Sequence, residues 1–350
     1  MIVFRADGNE IIGSGHIMRC LSIAKAARNA GETCCFIMAD KKFVPVVEEA
    51  GFRHVSFNTD FRNMQKELDD VLPFLEKEKP SCVVVDSYCT TEEYLEKICK
   101  YSLVVYMDDL AVSAYPVDVL VNYNIYGKKI DYAQLYHDQS RTLPRLLLGP
   151  EYAPLRKEFR GLKRKKQRKR VENILVSTGG SDHEHVALRL TQYIADHESG
   201  NHYKYHFVIG AMNPDVSKLT QIAEEFPERI TLHQNVMQME QLMQSCDMAV
   251  SAAGSTLYEL CACGIPTITY VLADNQILGA LGFCEQALML YVGDCRNNEN
   301  FAEQVMQMVF RLADNFQLRE QMAEQVNKLV TGNGAEKIAK ALIALSASRG

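Results

Sequence analysis

The chain has 350 residues, 47% of them hydrophobic, with 38 Lys and Arg against 44 Asp and Glu and a net charge of −6. This length implies two domains of roughly 175 residues each. The acidic balance gives no general case for nucleic acid, and no run approaches 18 consecutive apolar residues, so no membrane insertion is expected. Eleven cysteines is an odd count; with no export pattern in MIVFRAD, they are expected to be reduced thiols in a cytoplasm.

The chain opens with an apolar strand, Ile2-Val3-Phe4, that runs into a glycine-bracketed loop, Gly13-Ser14-Gly15. His16 follows where an amphipathic helix begins, with Ile17, Leu21 and Ala24 at the helical spacing of a buried face. In a strand–loop–helix unit of this kind, backbone N–H groups around Gly13 and Gly15 point at a ligand. A histidine there titrates near neutrality and can move a proton. The helix N-terminus should keep it neutral, as a general base must be. Arg19, one turn on, is placed to meet an anion or a carboxylate. The plain alternative is a tight turn capped by a histidine.

Further strands are expected at Cys34–Ala39, Cys82–Asp86, Leu103–Met107 and Val117–Val121, with a helix over Glu92–Lys100. Asp108 and Asp109 are adjacent at a strand end. They should point in different directions, which suits hydrogen bonding or capping better than metal binding.

From Arg156 to Arg170 ten residues are basic, in RKEFRGLKRKKQRKR. No aromatic residue interleaves the core of the run to stack bases. It falls where a domain boundary is expected and is read as a solvated linker.

In the second half, strands are expected at Asn173–Ser177, Tyr205–Ile209, Ile230–Leu232, Met248–Ser251, Thr267–Tyr270 and Met289–Val292. Helical patterns include Ser217–Glu225, and three more close the chain, Phe301–Leu312, Leu318–Val330 and Ala335–Leu345. Alternating βα units imply parallel sheets with helices on both faces. Gly179 and Gly180 form a second glycine loop after the first of these strands. His183 and His185 are two apart, a spacing that does not put both on one helix face. Ala252-Ala253-Gly254-Ser255-Thr256 is a small-residue turn before a helix that ends at Gly264-Ile265-Pro266. Gly254, Ser255 and Thr256 therefore sit at a helix N-terminus, which favours phosphate. Glu259, about one turn in, can reach a neighbouring sugar diol. Cys261 and Cys263 form a CxC on that helix and should face different ways, so no metal is expected there.

These segments together resemble one family. SAAGSTLYELCACGIPTI with ADNQ at Ala273–Gln276 looks like the C-terminal half of GT-B glycosyltransferases that bind UDP-sugars. RADGNEIIGSGHIMRC is more particular and resembles the UDP-2,4-diacetamido-2,4,6-trideoxy-β-L-altropyranose hydrolases of pseudaminic acid biosynthesis. Val85-Asp86-Ser87-Tyr88, Met107-Asp108-Asp109-Leu110, Gly149–Arg156 and Val176–Gly180 also match, so the resemblance covers nearly the whole chain. The basic run and the CxC are not part of the family pattern.

The resemblance implies an α/β, GT-B-like fold of two Rossmann-like domains with a ligand cleft between them. The expected boundaries are 1–157, a basic linker at 158–170, and 171–350, with the final helix free to pack back on the first domain. It implies that His16 is the base that activates water and that Asp86 and Tyr88 shape the sugar pocket. Ser255 and Thr256 would hold the diphosphate and Glu259 the ribose. Val236 and Met237 would contact uracil, and Asn275 the sugar–phosphate junction. The remaining substrate contacts fall to Gly13, Gly15, Arg19, Gly179, Gly180 and Gly254. The implied reaction is metal-independent hydrolysis in which water attacks the anomeric carbon and UDP leaves. It needs no cofactor and no partner beyond the UDP-sugar and water, and a monomer is expected. The rivals are a UDP-sugar glycosyltransferase of surface polysaccharide synthesis and a non-catalytic nucleotide-sugar binding protein.

Overall fold

The computed structural model describes residues 1–9, 12–200 and 202–348. Glu10 and Ile11, inside the first loop motif, lie outside the described residues. The chain divides into two compact units, Met1–Lys157 with Asn333–Gly350, and Glu158–Gly332.

The first unit is built on seven strands: β1 (Ile2–Ala6), β2 (Cys34–Met38), β3 (Arg53–Ser56), β4 (Cys82–Asp86), β5 (Leu103–Met107), β6 (Val119–Asn122) and β7 (Arg145–Leu148). They form one sheet in the order β3-β2-β1-β4-β5-β6-β7, with every neighbouring pair parallel. Helices α1 (Gly15–Asn29), α2 (Val44–Glu49), α3 (Leu68–Glu78), α4 (Glu92–Ile98) and α5 (Tyr132–Asp138) connect them. Both faces of the central strands are covered, so their sequences are continuous apolar runs rather than alternations. Val3, Val83, Val85 and Val104 pack with Tyr94, Leu95 and Ile98 on one side of the sheet. Strand order reverses between β1 and β4, where Ala6 pairs with Asp86. Open α/β sheets take ligands at the carboxyl end of such a reversal.

The second unit repeats the plan with β8 (Asn173–Ser177), β9 (Lys204–Ile209), β10 (Ile230–Gln234), β11 (Met248–Ala252), β12 (Thr267–Val271) and β13 (Leu290–Asp294). The parallel order is β10-β9-β8-β11-β12-β13, which places the reversal between β8 and β11. Its helices are α6 (Val186–Asp196), α7 (Val216–Glu225), α8 (Met239–Ser245), α9 (Thr256–Cys263), α10 (Ile277–Glu285), α11 (Phe301–Asp314) and α12 (Phe316–Leu329). Ile174, Val176, Phe207, Val250 and Ile268 pack with Val186, Leu190, Val305 and Val309 to form its core.

The last helix, α13 (Gly334–Ser348), is counted with the first unit; the expected second domain ran to residue 350, with this helix free to pack back on the first. It packs on α1, and its Ile338, Ala339 and Leu342 are buried. A side chain at Gly334 would place a Cβ 2.2 Å from the Ala153 carbonyl oxygen, so the returning chain needs a glycine there.

Residues 158–170 expose most of their basic side chains, as a solvated linker would, but do not stand apart as a separate segment. They belong to the second unit and are fastened to it. The Lys165 ammonium donates to the carbonyls of Ser245 and Cys246 at 3.2 and 3.0 Å and pairs with Asp247 at 2.9 Å. A cation at the carboxyl end of α8 satisfies orphan carbonyls and complements the helix dipole. Arg164 pairs with Glu320 at 2.9 Å. Arg319, fully buried, donates to the backbone oxygens of Arg168 and Lys169, both at 2.9 Å. The run is basic, and it is held in place as part of the second unit.

Candidate active site

The loop after β1 is closed by Asn9. Its backbone pairs with Gly13 in both directions, at 2.8 and 3.2 Å, and its side chain accepts from the Ile12 N–H at 3.0 Å. Gly13 has φ +71°, which favours glycine. The turn delivers the chain into α1 at Gly15 and puts His16 in the first helical turn, only 5% exposed.

There the imidazole Nδ1 lies 2.5 Å from Oδ1 of Asp86, the last residue of β4. Asp86 is 1% exposed. The Arg19 guanidinium donates to both of its oxygens, from Nε at 2.6 Å and from a terminal nitrogen at 2.5 Å. Burial alone would raise this carboxyl; Arg19 and His16 outweigh it and hold Asp86 below the usual carboxylate range. An ionised Asp86 favours the tautomer that carries its proton on Nδ1, in which Nε2 is the ring's acceptor. The helix N-terminus expected to set the state of His16 is therefore joined by a buried carboxylate on the imidazole.

Arg19 has little capacity left for a ligand. Its terminal nitrogens also reach Asp109 at 2.9 and 3.1 Å and the Tyr123 hydroxyl at 2.9 Å. The structure thus makes it an internal clamp. Tyr88, 40% exposed, sets its ring edge-on to His16 with centroids 4.6 Å apart and donates its hydroxyl to Asp109 at 3.0 Å. Asp109 also accepts from the Asn124 amide at 2.9 Å. Its neighbour Asp108 turns the other way and accepts from the backbone N–H groups of Leu110 and Ala111 and from the Tyr132 hydroxyl.

A second ionic cluster lies deeper and was not signalled by the sequence. Arg5, fully buried on β1, pairs with Glu67 at 2.6 Å and with Asp7 at 2.5 Å. Tyr94 donates to Glu67 at 2.8 Å, and Asp7 accepts from the Ala39 N–H at 2.7 Å. It fixes the chain as it leaves β1 toward the His16 loop.

In the second unit the expected binding residues all follow carboxyl ends of strands. Gly179 and Gly180 follow β8, Val236 and Met237 follow β10, Gly254 to Thr256 follow β11, and Asn275 follows β12. The glycine loop after β8 is tightly confined: a Cβ at Gly210 would sit 2.2 Å from the Gly180 oxygen. Asp182 anchors it by accepting from the Val186 and Ala187 N–H groups, both at 2.9 Å. Ser255 precedes α9, which starts at Thr256, and Glu259 is half-buried one turn in. Met237 is 82% exposed. Asn275 is exposed on a single 3₁₀ turn, Asp274–Gln276.

Cys261 and Cys263 are both buried on α9, and burial pushes both thiols up. His185 pairs with Asp215 at 2.5 Å. Among the described residues, no group of three or more His, Cys, Asp or Glu is placed to hold a metal ion. No described helix is long and apolar enough to cross a membrane.

Two parallel α/β units of this kind make a GT-B fold. Acinetobacter baumannii MurG superposes with a TM-score of 0.69 at 12% identity, covering 98% of this chain and 99% of that one. The calicheamicin glycosyltransferase CalG4 superposes with a TM-score of 0.63 at 13% identity over 98% of each chain. No protein-family model matches the chain.

Three relatives are more informative in sequence. An uncharacterised Methanocaldococcus jannaschii protein, MJ1062, is 25% identical over 79% of this chain, a match that spans 56% of that protein's length. The Bacillus subtilis spore coat polysaccharide biosynthesis protein SpsG is 24% identical over 95% of both chains. The Campylobacter jejuni UDP-2,4-diacetamido-2,4,6-trideoxy-β-L-altropyranose hydrolase is 23% identical over 74% of this chain and 86% of its own.

Proposed function

We propose that the protein is a nucleotide-sugar hydrolase that converts UDP-2,4-diacetamido-2,4,6-trideoxy-β-L-altropyranose to UDP and the free sugar. The observation that carries this reading is the buried pair His16–Asp86, locked by Arg19 at the strand-order reversal of the first unit. The likeness to the Campylobacter hydrolase supports the choice of substrate.

In this reading Asp86 holds the Nδ1 proton and orients the ring. Nε2 takes a proton from water as the water attacks the anomeric carbon, and the C1–O bond to UDP breaks. Asp86 then faces an imidazolium, and its charge stabilises that state. UDP leaves as a stable diphosphate anion, so no acid is required on the leaving side. The N–H groups at the start of α9, with Gly254, Ser255 and Thr256, receive the diphosphate and offset its developing charge. Glu259 takes the ribose, Val236 and Met237 the uracil, and Asn275 the sugar–phosphate junction. Gly13, Gly15 and Tyr88 line the sugar side, and Gly179 and Gly180 the loop after β8. The metal-free scheme asks for no cofactor, and a monomer of these two units is sufficient.

A panel of UDP-sugars tests it by release of UDP without an added acceptor. UDP release from the diacetamido-trideoxy substrate alone is the expected result; no release from any member removes the reading. One observation favours a second reading, a glycosyltransferase with another acceptor: the match to SpsG runs over 95% of both chains. Turnover that appears only when a sugar acceptor is added would decide for it.

A further inference from the structure

Asp109 sits where the two halves of the imidazole's support meet. One half is ionic: Arg19 spans Asp86 and Asp109, touching Asp86 at 2.5 Å and Asp109 at 2.9 Å from the same nitrogen. The other half is steric: the Tyr88 ring stands edge-on to His16, and its hydroxyl is tethered to Asp109 at 3.0 Å. Asn124 and the Tyr123 hydroxyl close the cluster, on Asp109 and on Arg19 respectively. We propose that Asp109 is a positioning residue for the hydrolysis, holding Tyr88 against His16 and balancing the charge that Arg19 brings to it. The proposal rests on the hydrolase reading above and adds a residue that makes no contact with the imidazole itself in the described network.

The charge count shows why this matters. With His16 neutral, one guanidinium faces two carboxylates. When His16 accepts a proton, the cluster reaches neutrality. Asp109 therefore helps the imidazole gain its proton during the attack, through Arg19 rather than by contact. Among the described residues, the ionisable groups around the ring are Arg19 and Cys20 on α1, Asp86 at the end of β4 and Tyr88 just after it, Asp109 after β5 and Tyr123 after β6. Cys20 meets Asp86 at 3.5 Å, and its thiol is pushed up by burial and by that carboxylate, so it adds no charge. Taking one negative charge from this set makes the imidazolium harder to form.

The test is Asp109→Asn in the full chain, with Asp109→Glu beside it. In Asp109→Asn we expect kcat to fall about tenfold at unchanged UDP affinity, with the acid limb of the pH–rate profile moving down by roughly half a unit or more. Asp109→Glu keeps the charge, and its acid limb should return toward the native position. An unmoved acid limb in a folded Asp109→Asn protein overturns the proposal, because a structural role lowers rate without moving it. The ring titration of His16, followed by NMR without substrate, reads the same coupling if no UDP-sugar is turned over. A downward move in Asp109→Asn then supports the inference even where the hydrolase reading has failed, and no move overturns it. Should Asp109→Asn not fold, Tyr88→Phe removes the hydroxyl that is tethered to the carboxylate, and an unchanged kcat there overturns the positioning role.

Discussion

His16 and Asp86 are 70 residues apart in the chain and meet at 2.5 Å, Nδ1 to Oδ1, with Arg19 gripping the far side of the carboxylate. Neither residue reaches this geometry through its own segment. β1 and β4 are neighbours in the sheet, in register from Ile2 with Cys82 to Ala6 with Asp86. That pairing carries Asp86 to the strand end, and the glycine loop after β1 swings His16 over it. The imidazole is thereby oriented by the chain's own side chains, the condition under which a base acts with little reorganisation.

Replacing Asp86 separates orientation from charge. Asp86→Asn should lower kcat by about a hundredfold or more, since the ring loses the partner that fixes its tautomer and stabilises its charged form. It should also change the acid response of stability. Arg19 and His16, against the opposing effect of burial, depress the Asp86 carboxyl in the folded chain. The unfolded chain then binds the proton more readily, and the stabilisation is present above the ordinary Asp value of about 4 and lost as pH falls below it. Chemical denaturation from pH 7 downward should show native protein and variant converging below about pH 4. A constant gap between them would mean that the pair contributes nothing through ionisation.

Most of the scaffold was legible because central parallel strands are apolar throughout, as in Cys82-Val83-Val84-Val85 and Leu103-Val104-Val105. The two strands that pattern reading passed over, β3 and β7, are the outermost of the first sheet. Arg53-His54-Val55-Ser56 is polar and part-exposed, and Arg145-Leu146-Leu147-Leu148 is short. An edge strand has one neighbour and less burial, so its sequence carries a weaker signal. At the site, the local motif pointed to His16 and Arg19, but the bridge from Arg19 to Asp109 depends on β5 lying beside β4. The adjacent pair Asp108-Asp109 signalled hydrogen bonding or capping, but not which partners Asp109 would have. The basic run is largely solvated, as its composition suggests, but composition alone cannot show that Lys165 and the backbone of Arg168 and Lys169 have buried partners.

The second unit's proposed role is tested at Glu259. Glu259→Ala should weaken UDP binding by about 1–3 kcal/mol through loss of a charge-assisted hydrogen bond to the ribose. The substitution lies on α9 one turn beyond Thr256, so the helix start should keep its diphosphate contacts. Calorimetry with UDP on the full chain reads this directly. Unchanged affinity would take Glu259 out of the nucleotide site.

A separate pH effect belongs to the second unit. His206 on β9 and His233 on β10 share a hydrogen bond at 3.0 Å, and His206 also meets the Asn173 side-chain oxygen at 3.0 Å. Burial, then His233 and Lys204, lowers His206 to about 4, and burial with Lys204 lowers His233. Between pH 6.5 and about 4 the unfolded chain therefore binds more protons than the folded one, and stability should fall as pH falls through that window. His206→Gln should flatten the slope. Equal slopes in urea titrations of the native chain and the variant across that window would show that the pair does not couple to folding.

The hydrolytic scheme is decided by which bond breaks. If Nε2 of His16 activates water against the anomeric carbon, reaction in ¹⁸O-labelled water places the label in the free sugar. His16→Asn should then lower kcat by about a hundredfold or more, as loss of a general base does. UDP binding should persist, because the proposed nucleotide contacts follow strands of the other unit. The two measurements check each other. Label in the sugar together with an inactive but UDP-binding His16→Asn protein supports the base at His16. Label in UDP means attack at phosphorus, and then neither the role of His16 nor the substrate reading stands.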